Sequence, residues 1–376
     1  AHNGEINTIQ GNRKWMLARQ GEFAMDGVDA ADLAPAVAQE GSDSLSFDNA
    51  LELLHHGGRT LPRSLMMMVP EPWEQLPEMD PDRRAFYDFN AGLIEQWDGP
   101  AAIAFSDGVL CGATLDRNGL RPLRYAVTSD GLFVAGSEAG TVEIDQAKVI
   151  EKGRLGPGEM VLVDTEAGLV LRNDELKADI AGQQPYRQWL NEHRIRLEPA
   201  QPAEEPVPVP LDADLKTRNA LTKTPPEEIA LQRAFGYTAE DIRLIVSPMA
   251  GEGKEPTWSM GDDAPLAVLA EQSRPISTYF RQRFAQVTNP AIDSLRERKV
   301  MALDAFIGPR GDLLSESPEQ ARLIHVDSLV LSQEMLDAIV ANGTLPVSTV
   351  STVYPADAGD GTLASELDRI VAEAEQ

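Results

Sequence analysis

An asparagine followed by a glycine stands close to the start of the chain, at Asn3 and Gly4. The asparagine carboxamide offers N–H donors, and glycine lets a backbone N–H approach a bound molecule without a side chain in between. Two such donors about 3 Å from a developing alkoxide form an oxyanion hole, where each donor stabilises the transition state by about 2.7–4 kcal/mol. By itself an Asn-Gly pair is more typical of a turn, because both residues tolerate positive φ.

The residues around this pair form a longer pattern, AHNGEINT at 1–8 followed by Gly11 and Asn12. The pattern resembles the oxyanion-hole segment of class II glutamine amidotransferases. In its glutamate and isoleucine it is most similar to the large subunit of glutamate synthase. The resemblance implies that the Asn3 side chain and the Gly4 amide hold the carbonyl oxygen of glutamine during nucleophilic attack.

A second candidate, Asp43, lies in the capping pattern GSDS at 41–44. Apolar residues follow at helical spacing, and Gly57 and Gly58 end the run, so the pattern predicts a helix. Position alone favours a structural role for Asp43, since a carboxylate stabilises the positive end of a helix. The string SDSLSFDNALELL also resembles glutamate synthase, which implies that Asp43 binds the α-amino group of glutamine.

The composition excludes several classes of partner and site. Lys and Arg total 33 against 60 Asp and Glu, a net charge of -27, which disfavours nucleic acid and anionic membranes as partners. No apolar run approaches the roughly 18 residues of a membrane span. The single cysteine, Cys111, excludes a disulfide framework and a cluster ligated by cysteines of this chain. The absence of paired cysteines, together with the lack of a recognised signal segment, indicates a protein of the reducing cytoplasm.

Three other features favour structural interpretations. Cys111 has no basic residue near it in sequence, so we interpret it as a small buried hydrophobe. His55 and His56 are adjacent on a helix, point in different directions and have no third ligand nearby, so they predict favourable C-terminal charges rather than a metal site. The loop DRNGLRP at 116–122 marks a turn, and we assign its arginines to structural pairing.

The order of elements predicts an α+β fold. Helices are expected up to a helix from Asp80 to Trp97, and three hairpins follow, with turns at Asp107-Gly108, Asp130-Gly131 and Ala167-Gly168. Antiparallel hairpins beside amphipathic helices indicate sheets covered by helices. The family resemblance implies an Ntn-hydrolase-like αββα sandwich, incomplete in this chain, followed by an incomplete α/β central domain.

Proline density sets the predicted domain boundary. Residues 197–211 contain five prolines, which prevents a helix or a central strand there. We therefore divide the chain into an amidotransferase domain at 1–197 that lacks its N-terminal part, a linker or crossover at 198–226, and the first part of a central domain at 227–376. Within the last part, residues 347–353 predict a strand and residues 363–374 a helix.

The second half carries its own resemblance. The strings WSMGDD, PLAVL and RQRFAQVTNPAID between 258 and 293 are similar to the central domain of glutamate synthase. The resemblance implies that Thr288 and Asn289 line the path of ammonia toward a flavin domain. The glycine-rich stretch GEGK at 251–254 is not a phosphate-binding loop, because Glu255 replaces the required Ser or Thr and the upstream glycine spacing is wrong.

Two functions from different classes follow. The first is part of a glutamate synthase, in which glutamine is hydrolysed and ammonia is channelled for reductive amination of 2-oxoglutarate to glutamate. The second is a non-catalytic amino-acid-binding or regulatory module that retains Asn3, Gly4 and Asp43. A third reading, another class II amidotransferase that makes amino sugars or purine precursors, is disfavoured by the central-domain strings.

The resemblance also indicates what this chain does not carry. Class II amidotransferases attack glutamine with an N-terminal cysteine activated by its own α-amine, whereas residue 1 here is Ala. We therefore expect an internal fragment with no nucleophile, no glutaminase activity of its own, and no metal or cofactor. The full-length parent is expected to use FMN, an iron–sulfur cluster, and either an NADPH-oxidising small subunit or ferredoxin. Glutamate release by the pure chain, abolished by Cys111→Ala, would contradict the expected inactivity.

Overall fold

The computed structural model describes residues 1–74, 76–197, 226–252, 256, 305–326, 331–353, 359 and 361–375. The chain forms two compact units. The first combines Ala1–Gln201 with Phe284–Gln376, and the second is Pro202–Arg283.

The first unit is built on a five-stranded antiparallel sheet. Its strands are β1 (His2–Gly4), β2 (Ala101–Ser106), β3 (Leu110–Leu115), β7 (Met160–Asp164) and β8 (Leu169–Leu171). They lie side by side in the order β1-β2-β3-β7-β8. Side chains along the strands point alternately to the two faces of the sheet, and both faces are covered. In β2, Ala101, Ile103 and Phe105 are buried against the helices, while Ala102 packs on the opposite face.

Six of the described helices cover one face of this sheet. The capping pattern at 41–44 forms as predicted, with the Ser42 side chain accepting from the Leu45 N–H. The apolar faces meet in one large core around Phe47, Leu65, Phe86 and Trp97. The helices are α1 (Ile9–Arg19), α2 (Asp43–His56), α3 (Leu61–Met68), α4 (Pro81–Leu93), α5 (Asn173–Ala181) and α6 (Tyr186–His193).

A second, three-stranded antiparallel sheet packs on the other face. It consists of β4 (Arg124–Thr128), β5 (Phe133–Gly136) and β6 (Val149–Arg154), in the order β5-β4-β6. A small apolar cluster that includes Leu115 and Val161 from the first sheet and Leu123 beside the second lies between them. The described part therefore stacks helices, sheet and sheet, a mixed α and β architecture, and the fourth layer of an αββα sandwich stays a prediction.

A segment far along the chain completes the core of this unit. Strands β9 (Ala305–Ile307) and β10 (Ile324–Val326) pair with each other, and Ile324 bridges to Ile195 in parallel. Between these strands, Leu313 is fully buried in the main core and Leu314 nearly so. The Glu316 carboxylate forms a buried ion pair with the Arg63 guanidinium of α3.

The remaining described elements are helical. In the second unit, Pro226–Ala234 is a helix, and a helical stretch with a π-helical turn at Ile242–Val246 runs from Ala239 to Glu252 behind a capping box of Thr238 and Asp241. In the first unit, the helices Gln333–Ala341 and Thr362–Ala374 follow β10. No helix among the described residues has the length and apolarity that a membrane crossing requires.

Two local predictions were wrong. Helix α4 ends at Leu93 rather than Trp97, because Ile94 is extended and the chain then turns so that Trp97 is buried against Phe47. The strand predicted at 347–353 is irregular backbone, and its apolar residues Val347 and Val353 are exposed. Strands β1, β6, β9 and β10 were not predicted at all.

Candidate functional site

Gly4 lies where two backbone segments come unusually close together. Strand β1 pairs with β2 so that Gly4 faces Ala101, and the Glu5 N–H donates to the Pro100 carbonyl at 2.9 Å. Gly4 has φ of 150°, and a Cβ built on it would stand 1.7 Å from the Pro100 oxygen. Gly99 faces Glu5 in the same way, with a Cβ position 1.9 Å from the Glu5 carbonyl. Any side chain at Gly4 would therefore push β1 away from β2.

The ladder between β1 and β2 fixes the direction of the Gly4 amide. Ala1 and Ala104 exchange N–H···O bonds of 2.8 Å in both directions, and Glu5, one residue beyond β1, donates to the Pro100 carbonyl. Because bonded and non-bonded pairs alternate in an antiparallel ladder, the N–H groups of His2 and Gly4 point away from β2. Strand β1 is the edge strand of the described sheet, so the Gly4 N–H points to its open edge.

The Asn3 side chain, on the same edge strand, points toward the second sheet. Asn3 is the register partner of Ala102, which packs on that face, whereas His2 and Gly4 share the helix face. Asn3 lines a cavity of about 400 Å³ between the sheets, together with Cys111, Phe133 and Gly136 among others. It is exposed, and its carboxamide makes no hydrogen bond with the described residues. Its N–H donors are thus available to a bound molecule.

Asp43 is tied to the same strand end. Its carboxylate accepts the Ile6 N–H at 2.8 Å through Oδ2 and the Ser44 N–H at 2.7 Å through Oδ1. Ile6 is three residues beyond Asn3, so the Cα atoms of Asn3 and Ile6 are at most about 10 Å apart. Burial raises the pKa of the Asp43 carboxyl, but the backbone hydrogen bonds from Ile6 and Ser44, the nearby His2 and the Ser44 hydroxyl together lower that pKa overall. Asp43 is therefore ionised at neutral pH.

His2 and Ser44 connect the strand to the helix, a link that the sequence did not predict. His2 Nδ1 lies 2.7 Å from Ser44 Oγ, and the imidazole stacks on Phe47 with ring centroids 6.4 Å apart. Burial lowers the pKa of His2, partly offset by the Asp43 carboxylate, so the ring is neutral at pH 7. Both residues belong to the strings that suggested Asn3 and Asp43, and this is the signal that could have singled them out.

The segment after β1 is held by the loop that precedes β2. The N–H groups of Asn7 and Thr8 both donate to the Asp98 carbonyl, and the Thr8 hydroxyl accepts the Asp98 N–H at 3.0 Å. Asn12, buried in α1, donates to the Gln96 carbonyl at 2.9 Å. Both ends of the Asn3-Gly4 strand are therefore fixed to the same neighbouring segment.

Asn3 and Gly4 are adjacent on β1, and Asp43 is hydrogen-bonded to Ile6, two residues beyond Gly4. Asp43 lies at the start of α2, on the helix side of the sheet, whereas the Asn3 side chain faces the second sheet. The other predicted site residues, Thr288 and Asn289, lie outside the described residues, and their role in an ammonia path stays a prediction. Cys111 lies in β3 and is partly buried.

The residues given structural roles can also be placed. Arg117 is buried and pairs with the Glu74 carboxylate at 3.0 Å, which confirms the structural role predicted for it. Arg121 is exposed and forms no ion pair with the described residues, so the pairing predicted for it is not found there. His55 and His56 end α2, and His55 Nδ1 contacts the Arg59 carbonyl. Within the part of the chain that the structure describes, no group of three or more His, Cys, Asp or Glu residues could hold a metal ion.

Comparison with known proteins decides the family. The profile of class-II glutamine amidotransferases matches residues 1–189, and that of the glutamate synthase central domain matches residues 230–376. This chain belongs to the glutamate synthase family of class-II amidotransferases. The sequence resemblance drawn from the strings at 1–8 and 41–54 is thereby confirmed.

Individual relatives agree with this assignment. A ferredoxin-dependent glutamate synthase 2 of Synechocystis is 45% identical over 375 residues, covering 98% of this chain and 23% of the relative. The NADPH glutamate synthase large chain of Bacillus subtilis is 43% identical over 340 residues, 90% of this chain and 21% of the relative. The NADH glutamate synthase of Schizosaccharomyces pombe is 40% identical over 387 residues, 100% of this chain and 18% of the relative. The chain spans about a fifth of the length of these curated relatives.

Proposed function

We propose that this chain supplies the oxyanion hole and the substrate-ammonium ligand of the glutamine-hydrolysing site of a glutamate synthase. The observation that carries the proposal is the edge of β1, where the Gly4 N–H points outward beside an Asn3 carboxamide with no hydrogen bond to the described residues. Asp43, ionised and held at the same strand end, adds a negative charge suited to an α-ammonium group.

The chemistry follows from these groups. When a thiolate attacks the amide carbon of glutamine, the carbonyl oxygen gains negative charge, and the Asn3 and Gly4 N–H groups donate to it. These donors are fixed before the reaction because β1 is anchored to β2 and to the loop at Asp98, so little reorganisation is needed as charge develops. The ion pair of Asp43 with the α-ammonium orients the substrate. In the family the attacking thiol is an N-terminal cysteine, and Cys111 in β3 is not assigned to that role.

The rest of the reaction belongs to the larger protein. We place ammonia transfer, reductive amination of 2-oxoglutarate, and electron supply by NADPH or ferredoxin in the parent enzyme, because relatives named for both donors are similarly identical to this chain. An iron–sulfur cluster needs more thiolates than the single cysteine here, so its ligands, and the FMN site, are assigned to other parts of the parent. The chain alone is expected to be inactive.

The test is Asn3→Ala in the full-length protein that contains this chain. We expect kcat for glutamine-dependent glutamate synthesis to fall by about 10²–10³, the usual effect of removing one oxyanion donor. Synthesis from free ammonia should be unchanged, because it bypasses the amide. Asn191→Ala is the matched control, since Asn191 is an exposed residue of α6. Unchanged glutamine-dependent turnover in Asn3→Ala would refute the proposal.

A further inference from the structure

The buried carboxylate of Asp116 opens the DRNGLRP loop, which has no assigned role in the chemistry. Asp116 is fully buried, and its oxygens accept backbone N–H groups from Asn118, Leu120 and Arg121 within the loop. The same carboxylate also accepts the N–H of Ala101, at 3.0 Å. No lysine or arginine side chain pairs with it among the described residues, so backbone amides compensate its charge.

The bond to Ala101 connects this loop to the oxyanion strand. Ala101 is the register partner of Gly4, and the Ala101 carbonyl also accepts the Asp116 N–H at 2.8 Å. Asp116 therefore holds Ala101 on both its donor and its acceptor side. The adjoining Pro100 carbonyl in turn receives the Glu5 N–H and lies directly against Gly4.

The loop is itself rigidly supported. The Asp116 carbonyl accepts from the N–H groups of Gly119 and Gly158, at 3.0 and 2.9 Å. Gly119 has φ of 62° and packs so closely on Pro157 that an added Cβ would lie 2.9 Å from that ring. Because these contacts hold the loop in place, the position of Asp116 fixes the position of Ala101.

We propose that Asp116 is a positioning residue for the oxyanion hole, fixing the Gly4 N–H through Ala101 and Pro100. This inference rests on the proposed function of Asn3 and Gly4. In Asp116→Asn the side-chain oxygen can serve either Ala101 or Asn118, and the amide group then faces the other N–H. Either arrangement releases one anchor, and a misplacement of about 1 Å at a reacting centre costs roughly 10²-fold in rate.

The experiment uses the full-length protein with Asp116→Asn, Asn3→Ala and the double variant. For Asp116→Asn we expect glutamine-dependent kcat to fall by about 10²-fold, with KM for glutamine within about twofold of wild type, since the lost interaction acts only in the transition state. Ammonia-dependent synthesis should not change. The double variant should lose less than the product of the two single losses, because both residues serve one oxygen.

Two controls separate positioning from general destabilisation. Asp164→Asn alters a carboxylate that accepts two turn N–H groups between β7 and β8. Thr128→Val removes a buried hydroxyl from the β4–β5 turn. Each should change the melting temperature without changing kcat. If Asp116→Asn does not yield folded protein, Asp116→Ser retains one acceptor oxygen and carries the same expectation.

The outcomes are distinct. Unchanged kcat in folded Asp116 variants, or strictly multiplicative losses in the double variant, would overturn the positioning role. If Asn3→Ala also had no effect, the oxyanion-hole assignment itself would fail. If Asn3→Ala lost activity and the Asp116 variants did not, only the present inference would be wrong.

Discussion

Substitution of Gly4 by alanine is the sharpest perturbation of the proposed site. The new Cβ would start 1.7 Å from the Pro100 oxygen and 2.7 Å from the Pro100 carbonyl carbon, both backbone atoms. To move the closest contact from 1.7 Å to the 3.0 Å that real Cβ atoms keep, the strands must separate locally by about 1.3 Å. That displacement stretches the Glu5 N–H···O bond to Pro100 and carries the Gly4 N–H away from its position.

Two magnitudes follow for Gly4→Ala. Overpacking of this kind costs about 1–3 kcal/mol, and loss of one backbone hydrogen bond adds about 1 kcal/mol. For a unit of this size, the melting temperature should fall by roughly 5–15 °C. Glutamine-dependent kcat should fall by about 10²–10³, because one oxyanion donor is misplaced.

The assay compares glutamine-dependent with ammonia-dependent glutamate synthesis in the full-length protein, at a temperature where both variants are folded. Gly11→Ala is the matched control. Gly11 lies inside α1, and a Cβ added there would have no heavy atom within 4 Å, so alanine should stabilise the helix by about 0.5–1 kcal/mol and leave kcat unchanged. Wild-type turnover with glutamine in folded Gly4→Ala would refute the close-approach argument and the role of this amide.

Two further predictions concern charges. Asp43→Asn should raise KM for glutamine at neutral pH, measured by steady-state kinetics, with a smaller effect on kcat. The pKa of Asp43 is lower in the folded protein than in the unfolded chain, so ionised Asp43 stabilises the wild type above pH about 4. This contribution is lost as the pH falls through the folded pKa, and the melting temperatures of wild type and variant should therefore converge in acid. Lys177→Met should destabilise the protein by about 3 kcal/mol in thermal or urea unfolding, since Lys177 is buried at 3.1 Å from the Glu71 carboxylate and donates to the Gly158 carbonyl. Lys148→Met, which breaks a half-exposed pair with Asp130, should change stability by less than about 1 kcal/mol, and equal effects of the two variants would contradict the burial argument.

Local signals in the sequence predicted much of the fold. The capping pattern at 41–44 and the glycines at 57 and 58 correctly bounded α2, and the Asp-Gly turns correctly located the hairpins β2–β3 and β4–β5. Such features depend on residues within a few positions of one another. Strands β1 and β6 were missed for the opposite reason. β1 is only three residues long and exists because it pairs with β2, about a hundred residues later, and β6 mixes charged residues with its apolar ones.

The candidate site likewise has a part that the sequence could predict and a part that it could not. Asn3, Gly4 and Asp43 could be named from strings that resemble a family, and their roles remain predictions. The contacts that hold them could not be named, because each joins distant parts of the chain. Examples are His2 with Ser44, and Asp116 with Ala101. The requirement for glycine at Gly4 became visible only once Pro100 was placed against it.

The docking of the segment around Leu313 has a consequence for how the protein can be cut. A chain that stopped at 197 would contain every described residue of the five-stranded and three-stranded sheets, yet it would open a cleft where Leu313, Leu314 and Ala321 now fill the core. It would also leave the Arg63 guanidinium buried beside α6 without its carboxylate partner. Such a piece should be prone to aggregation and should regain solubility when a peptide spanning 305–326 is supplied in trans, as in fragment complementation.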